Sequence, residues 1–196
     1  MTPLDPDPIR EFQSWFEMAS HAGARDATSM TLATATRDGA PSARVVLLKA
    51  VDERGFVFYT NYDSRKGREI EENPRAALVF YWPEIDRQVR VSGRVAKIPA
   101  AESDAYFASR SLGSRLSAAA SPQSAAIASR AEIEEQRTRL QAEYRAAGPP
   151  RPNNWGGYCV NPEEIEFWNQ GEFRLHDRVR YRRRPDGSWQ VDRLAP

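Results

Sequence analysis

The chain has 196 residues, enough for one domain with a substantial hydrophobic core. Its 28 basic and 27 acidic residues nearly cancel, so a net charge of +1 gives no reason to expect a nucleic acid or an anionic membrane as partner. A single cysteine excludes an internal disulfide, no run approaches the length of a membrane span, and the N-terminus lacks a signal-peptide pattern. We therefore expect a cytoplasmic protein.

In the first half of the chain, strand-like runs are interrupted by two helices. Residues 1–7 are rich in Pro and Asp and are expected to be loose, and apolar residues at helical spacing then predict a helix over about 8–22. A short helix is predicted to begin after Ser64 and to end before Pro74. Turn signals separate the predicted strands of this half, which are 29–36, 42–50, 56–61, 75–82 and 87–98.

The second half begins with helices and ends in strands. Helices are predicted from Pro99 to about Arg110 and from about Ser124 to Ala146, followed by a proline-rich connector at 148–152. Consecutive strands with short turns pair antiparallel, and closure into a barrel removes exposed edges. We therefore predict a single, mainly β domain over 8–196, an antiparallel β-barrel with flanking helices. The remaining predicted strands are 155–160, 165–168, 178–184 and 189–194.

Two cations stand where a helix dipole disfavours them. Arg65 and Lys66 occupy the first turn of the helix that follows Ser64. A phosphate on the exposed backbone N–H groups would need this counter-charge, whereas side chains that merely point to water would cost a few tenths of a kcal/mol each. We favour the phosphate interpretation.

A second candidate phosphate site combines two hydroxyls with a guanidinium. Tyr106 and Arg110 are one helical turn apart and share a face. Gly113 is expected to end this helix and to leave Ser114 in a loop that folds back. The alternative is a helix end capped by its own arginine, which the residues alone favour.

The strand containing Arg44 and Lys49 has a cation at each end. The two positions differ by an odd number, so in a regular strand the side chains point to opposite faces. One strand would then serve two different anions.

Near the C-terminus, Arg174, His176 and Arg178 alternate along the chain after a turn at Gly171. In an extended segment they share one face, where three cationic or titratable groups repel each other unless an anion or polar ligand lies among them. A solvated edge strand is an equally good explanation of this segment by itself.

These segments resemble, in order and from about Asp7 to Pro196, the pyridoxamine 5′-phosphate oxidases, which are FMN-dependent enzymes of vitamin B6 metabolism. Nine short motifs in register carry the resemblance, and they lie at 44–49, 58–61, 64–66, 87–89, 106–110, 123–124, 155–158, 174–178 and 193–196.

The resemblance implies a split β-barrel homodimer with two FMN molecules at the subunit interface and no metal. Arg65 and Lys66 are implied to hold the FMN phosphate. The substrate phosphate is assigned to Lys49, Tyr106, Arg110 and Ser114. The full set implied to bind FMN is Arg44, Val45, Val46, Leu47, Leu48, Lys49, Tyr59, Thr60, Arg65, Lys66, Gln88, Gln123, Ser124, Trp168 and Arg178.

The implied reaction oxidises pyridoxamine or pyridoxine 5′-phosphate at C4′ to pyridoxal 5′-phosphate, with O₂ as electron acceptor and peroxide as by-product. The redox chemistry belongs to the cofactor, so the protein mainly orients and polarises. Arg174 and His176 are implied to face the substrate ring. Arg174 is expected to polarise the substrate near C4′, and His176 to position it or, as the alternative, to act as a general base.

Three departures from the family pattern concern the substrate. Small residues occupy 117–121 where the family usually has a tryptophan, Asn169 and Gln170 follow Trp168, and the N-terminal arm is short. The alternatives are a related oxidase of a larger aromatic, such as a dihydrophenazine, and a non-catalytic flavin-binding split barrel. A nucleic-acid-binding barrel is disfavoured because no basic stripe is interleaved with aromatics.

Overall fold

The computed structural model describes residues 4–196, which form one antiparallel sheet of nine strands with five α-helices around it. The helices are α1 Pro8–His21, α2 Arg65–Glu72, α3 Ala100–Ser109, α4 Leu112–Ala120 and α5 Arg130–Tyr144. The strands are β1 Ser29–Ala35, β2 Pro41–Leu47, β3 Ala50–Asp52, β4 Gly55–Asn61, β5 Arg75–Trp82, β6 Arg87–Lys97, β7 Trp155–Asn169, β8 Asp177–Arg183 and β9 Trp189–Leu194.

The sheet curls because its two end strands are neighbours in sequence. Seven strands follow the order β2-β1-β5-β6-β7-β4-β3, so β2 and β3 stand at opposite ends. Only Leu48 and Lys49 separate them, and three Cα–Cα steps span at most about 11 Å. The ends must therefore approach each other although no pairing joins them in residues 4–196, which produces the predicted split barrel.

The longest strand, β7, forks the sheet. β6 pairs along one edge of it, while the other edge pairs with β4 near Trp155 and with β8 near Trp168. The two strands predicted at 155–160 and 165–168 are thus one strand. Instead of the predicted break between them, the strand has a bulge opposite Gly93 of β6. A Cβ on Gly93 would lie 2.0 Å from the Asn161 carbonyl oxygen, so only glycine permits this close approach of the two strands.

The first helix after β6, α3, matches the prediction, but the two helices that follow it differ. A separate helix, α4, begins at Leu112 with Ser111 as its cap, so Ser114 is helical and the expected loop is wrong. The predicted helix over 124–146 is shorter at its start, because Ser124 has a φ of 70° and α5 begins only at Arg130.

The core lies between α1 and the concave face of the sheet. Phe12 is fully buried and packs edge-on against Phe56 and Phe80, with ring centroids 4.8 and 4.9 Å away. Of the N-terminal segment expected to be loose, residues 1–3 lie outside the described part of the chain. Asp7 caps α1 through the Ile9 N–H at 2.9 Å, and the Asp5 carbonyl accepts the Tyr181 hydroxyl at 2.8 Å. Within residues 4–196, none of the helices combines the length and apolar character needed to cross a bilayer.

Candidate functional site

A large cavity of about 740 Å³ opens where β2 and the end of β4 meet helices α2 to α5. This volume lies in the range of small-molecule sites. Twelve of the predicted site residues line it, namely Arg44, Val45, Val46, Leu47, Lys49, Tyr59, Thr60, Lys66, Tyr106, Arg110, Ser114 and Gln123. Seven further lining residues were not predicted as site residues, namely Asn61, Gly113, Ser117, Ala118, Ser121, Arg137 and Trp155.

The lining is strongly cationic. Five of its described side chains are basic and none is Asp or Glu, which is the donor set for phosphate groups. The basic residues are Arg44, Lys49, Lys66, Arg110 and Arg137.

Lys66 is the most deeply placed of these cations. Only 7% of the residue is exposed, and its ammonium donates to the Thr60 hydroxyl at 3.2 Å and lies 3.5 Å from the Ser64 hydroxyl. Burial, reinforced by the charge of Arg44, lowers the pKa of Lys66 to about 8. No carboxylate among the described residues forms an ion pair with it, so an anion in the cavity would supply the missing partner.

Arg65, which precedes Lys66 in the chain, does not line the cavity. Its side chain is 60% exposed, and it donates to the buried carboxylate of Glu69 at 2.8 Å. Glu69 also pairs with Arg44 at 3.3 Å. Burial opposes ionisation of Glu69, but hydrogen bonds from Ser42, Thr34, Arg65 and Arg44 outweigh it and lower its pKa to about 2. Glu69 therefore stays ionised and orients both arginines.

Arg110 packs against a stack of three aromatic rings. The rings of Tyr59 and Tyr106 stack at 3.9 Å, Trp155 continues the stack, and the Arg110 guanidinium lies 4.8 Å from the Trp155 ring centroid. One terminal nitrogen of Arg110 is buried without a hydrogen-bond partner in the described structure, and burial lowers its pKa. A buried unpaired guanidinium N–H favours an anionic ligand at this wall.

Arg44 and Lys49 line the same cavity, so the expectation of opposite faces is wrong. Regular alternation stops because β2 ends at Leu47. The Lys49 N–H then bonds to the Val57 carbonyl of β4 at 2.8 Å, which carries Lys49 across to the other end of the sheet. Leu48 between them is buried in the core.

A second group of predicted residues lies near the far end of β7. Gln88, Trp168 and Arg178 are directly opposite one another on β6, β7 and β8, and side chains in such a row share a face. The His176 ring lies 4.6 Å from the Trp168 ring. We call these four residues and Arg174 the β7-end cluster. None of them lines the large cavity.

Arg174, His176 and Arg178 do not share a strand face as predicted. Arg174 lies in a tight turn with a φ of 64°, and β8 begins only at Asp177. The Gly171 N–H donates to Nδ1 of His176 at 3.3 Å, so the neutral ring carries its proton on Nε2.

Glu166 contacts this cluster and was not predicted as a site residue. It is 5% exposed, and its two oxygens accept from Arg178 at 2.8 Å and from Arg90 at 3.2 Å. A charged residue in an apolar strand was the available signal, since buried carboxylates are normally paired.

Two predicted cofactor residues remain. Gln123 joins the cavity wall by accepting from the Thr60 hydroxyl at 3.0 Å and the Asn61 N–H at 3.3 Å. Ser124 follows it in the left-handed region but does not line the cavity.

Family models match nearly the whole chain. One described as pyridoxamine 5′-phosphate oxidase matches residues 17–169, and one described as the pyridoxine 5′-phosphate oxidase C-terminal dimerisation region matches 155–196.

Curated relatives match over about nine-tenths of their length. Pyridoxine/pyridoxamine 5′-phosphate oxidase 1 of Ralstonia nicotianae is 54% identical and covers 98% of this chain and 91% of the relative. The pyridoxine/pyridoxamine 5′-phosphate oxidase of Rubrobacter xylanophilus is 57% identical over 98% of this chain and 88% of the relative.

Solved structures share the fold. PhzG from Burkholderia lata 383, in complex with tetrahydrophenazine-1-carboxylic acid, has a TM-score of 0.93 at 35% identity and covers 98% of this chain and 94% of its own. A pyridoxamine 5′-phosphate oxidase-related, FMN-binding protein from Nostoc punctiforme has a TM-score of 0.77 at 20% identity, with coverage of 97% and 98%. At that identity the likeness shows the fold alone.

Proposed function

The chain belongs to the pyridoxamine 5′-phosphate oxidase family, and on that premise we propose that it oxidises pyridoxamine and pyridoxine 5′-phosphate to pyridoxal 5′-phosphate, with FMN as cofactor and O₂ as electron acceptor. The observation that carries the proposal is the large cavity, whose described lining has five basic side chains and no acid. Cofactor and substrate each bring a phosphate, and this lining suits both.

The FMN phosphate is assigned to the end of the cavity near Lys66. Its buried ammonium and the Thr60 hydroxyl provide donors beside the first turn of α2, whose N–H groups and dipole favour an anion. Arg65 is near enough in sequence to join them by leaving Glu69. Val45 and Leu47, which are 66% and 39% exposed, offer an apolar surface for the flavin ring.

The substrate phosphate is assigned to the opposite wall, with Lys49, Tyr106, Arg110 and Ser114. The unpaired nitrogen of Arg110 and the hydroxyl of Ser114, in the first turn of α4, favour an anion there. Anchoring the substrate phosphate to these residues fixes the position of the substrate ring in the cavity. A fixed ring position favours catalysis because the reacting atoms are held in the right orientation.

The reacting end of the substrate is assigned to the β7-end cluster. When bound, FMN would supply the acceptor for the hydride equivalent from C4′, with O₂ as the final electron acceptor. Arg174 would polarise the substituent at C4′. His176 has its Nδ1 occupied by the Gly171 N–H and presents an N–H at Nε2, which favours an orienting donor over a general base.

A homodimer would bring the cavity and the β7-end cluster together in one active site. The cavity and the β7-end cluster lie toward opposite ends of a 15-residue strand, so we propose that each active site combines the cavity of one subunit with the cluster of the other. Phe173 and Leu175 beside Arg174 are 92% and 72% exposed, and both lie within the segment that matches the dimerisation region. Exposed apolar side chains of this size indicate a surface that a partner covers.

A second candidate function is oxidation of a larger reduced aromatic such as a dihydrophenazine. Two observations favour it, namely the TM-score of 0.93 with PhzG and the small side chains Ser117 and Ala118 on the cavity wall. The higher identity to the B6 oxidases and the cationic lining for a substrate phosphate favour the first candidate.

The test is to purify the protein, record its visible spectrum for FMN, and add pyridoxamine 5′-phosphate or pyridoxine 5′-phosphate in air. Stoichiometric pyridoxal 5′-phosphate and peroxide are expected. A flavin-loaded protein that leaves both compounds unchanged but oxidises a dihydrophenazine would replace the first candidate with the second. A flavin-loaded protein inert toward all three would indicate a non-catalytic flavin-binding barrel.

A further inference from the structure

α5 contributes a side chain to the cavity although it contributes nothing to the core. None of its residues is buried, and its half-buried Ile133, Gln136 and Leu140 are spaced as one helix face. α4 is the helix that it contacts most. Arg137, next to Gln136, reaches over α4 and lines the cavity.

The sequence of α4 makes this reach possible. Ser114, Ser117 and Ala118 face the cavity with short side chains, so nothing large stands between α5 and the ligand space. A Cβ on Gly113 would meet a single neighbouring atom within 4 Å, a terminal nitrogen of Arg137 at 3.8 Å. The guanidinium thus lies beside the first turn of α4, next to Ser114.

The positive charge of Arg137 is not neutralised by a carboxylate of its own helix, α5. Its neighbours one turn away are Ile133, Leu140, Gln141 and Glu134, and Glu134 is engaged by Arg130 at 2.7 Å. Among residues 4–196, no carboxylate forms an ion pair with Arg137. A cation beside the positive end of α4, in a cavity that Arg110 also lines, is electrostatically unfavourable unless an anion binds there.

We propose that Arg137 is a further substrate-binding residue that contacts the substrate phosphate together with Arg110 and Ser114. This inference rests on the proposed function, because it names a further ligand of the same phosphate. An arginine here supplies a second guanidinium to the dianion and extends the phosphate clamp from α3 and α4 to α5.

The test compares Arg137→Gln with Arg139→Gln on the FMN-loaded protein. Arg139 is an exposed arginine of the same helix that does not line the cavity, so it is a matched control. The dissociation constants of pyridoxal 5′-phosphate and of pyridoxal, which lacks the phosphate, are measured by equilibrium dialysis, together with KM and kcat for pyridoxine 5′-phosphate.

For Arg137→Gln we expect the dissociation constant of pyridoxal 5′-phosphate and the KM to rise about tenfold, with pyridoxal binding and FMN content unchanged. Arg137→Lys is expected to recover most of the loss, and Arg139→Gln to match the unmodified protein. Equal affinity in Arg137→Gln and the unmodified protein would overturn the inference, as would a loss of FMN. Failure of the unmodified protein to bind pyridoxal 5′-phosphate would instead count against the proposed function.

Discussion

At the scale of single residues, Lys66 couples cofactor binding to pH. Its ammonium is buried beside Thr60 and Ser64, and burial lowers its pKa to about 8. Below that pH the charge is present before a ligand arrives. Above pH 8 the Lys66 side chain is deprotonated in the folded protein. In the unfolded chain it stays protonated up to the ordinary lysine pKa of 10.5. This group therefore adds to the free energy of unfolding of the FMN-free protein as the pH rises from 8 toward 10.5.

We expect the dissociation constant of FMN to stay flat below pH 8 and to rise above it by up to about tenfold per pH unit, because binding must then also protonate Lys66. Fluorescence titration of FMN-free protein between about pH 7 and 9.5 checks this. In Lys66→Met, binding is expected to be weaker and to lose the inflection. An unchanged inflection in that variant would assign it to another group.

Glu166 is expected to hold the β7-end cluster in place. Glu166→Gln removes the charge shared by Arg178 and Arg90, and we predict a loss of about 2 kcal/mol in the free energy of unfolding. FMN affinity should fall as well, because Arg178 loses its fixed orientation. The control is Glu164→Gln on the same strand, whose contact to Arg180 is 3.8 Å long and partly exposed. Urea unfolding and FMN titration of both variants measure the difference, and equal losses would remove the special role of Glu166.

At the scale of elements, the start of α2 is set by close packing as well as by its cap. Gly67 donates to the Ser64 side chain at 3.3 Å, and a Cβ on Gly67 would lie 2.0 Å from the Tyr62 carbonyl oxygen. A backbone oxygen cannot move aside as a side chain can. Any larger residue must therefore displace the first turn of α2, and Lys66 with it.

Gly67→Ala is predicted to destabilise the protein by about 1–3 kcal/mol through overpacking and to weaken FMN binding. Gly113→Ala is the matched control, because its added methyl meets only Arg137 at an ordinary 3.8 Å and alanine favours a helix. Thermal unfolding and FMN titration of the pair separate the two effects. Full FMN affinity in Gly67→Ala would show that the position of this turn does not limit binding.

At the scale of the whole molecule, β7 separates the two groups of site residues. The strand has 15 residues, about 50 Å along its course, with Trp155 in the cavity wall and Trp168 in the β7-end cluster. An isologous dimer places the same two surfaces against each other twice, so one interface completes two sites.

Mixed dimers test this arrangement. Arg110→Gln and Arg174→Gln should each be nearly inactive, since each damages both sites of its own dimer. In subunits randomised by co-expression, half of the dimers are mixed and each carries one intact site, so about one quarter of the activity is expected. No recovery in the mixture, with dimers confirmed by sedimentation, would place each active site within one chain.

The sequence by itself determined most elements and the family. Periodicity is local, so α1, β1, β5, β6 and β9 were predicted within one or two residues. Four of the five cations that line the cavity were also recognisable, because motifs keep residue types and spacing. Predictions failed where conformation depends on distant packing, as at Ser124 with its positive φ and at the bulge that keeps β7 continuous.

Only the tertiary structure decided which side chains share a site. Alternation along a strand separates Arg44 from Lys49, but the crossing after Leu47 brings both into one cavity. Arg137 had no local signal, since α5 as a sequence is an exposed helix. Glu166 is recognisable in the sequence as a charged residue in an apolar strand, but its partners Arg178 and Arg90 are seen only in the structure. Local patterns reflect backbone geometry, whereas a binding site depends on contacts between segments far apart in the chain, which form only when the sheet curls and the helices pack on it.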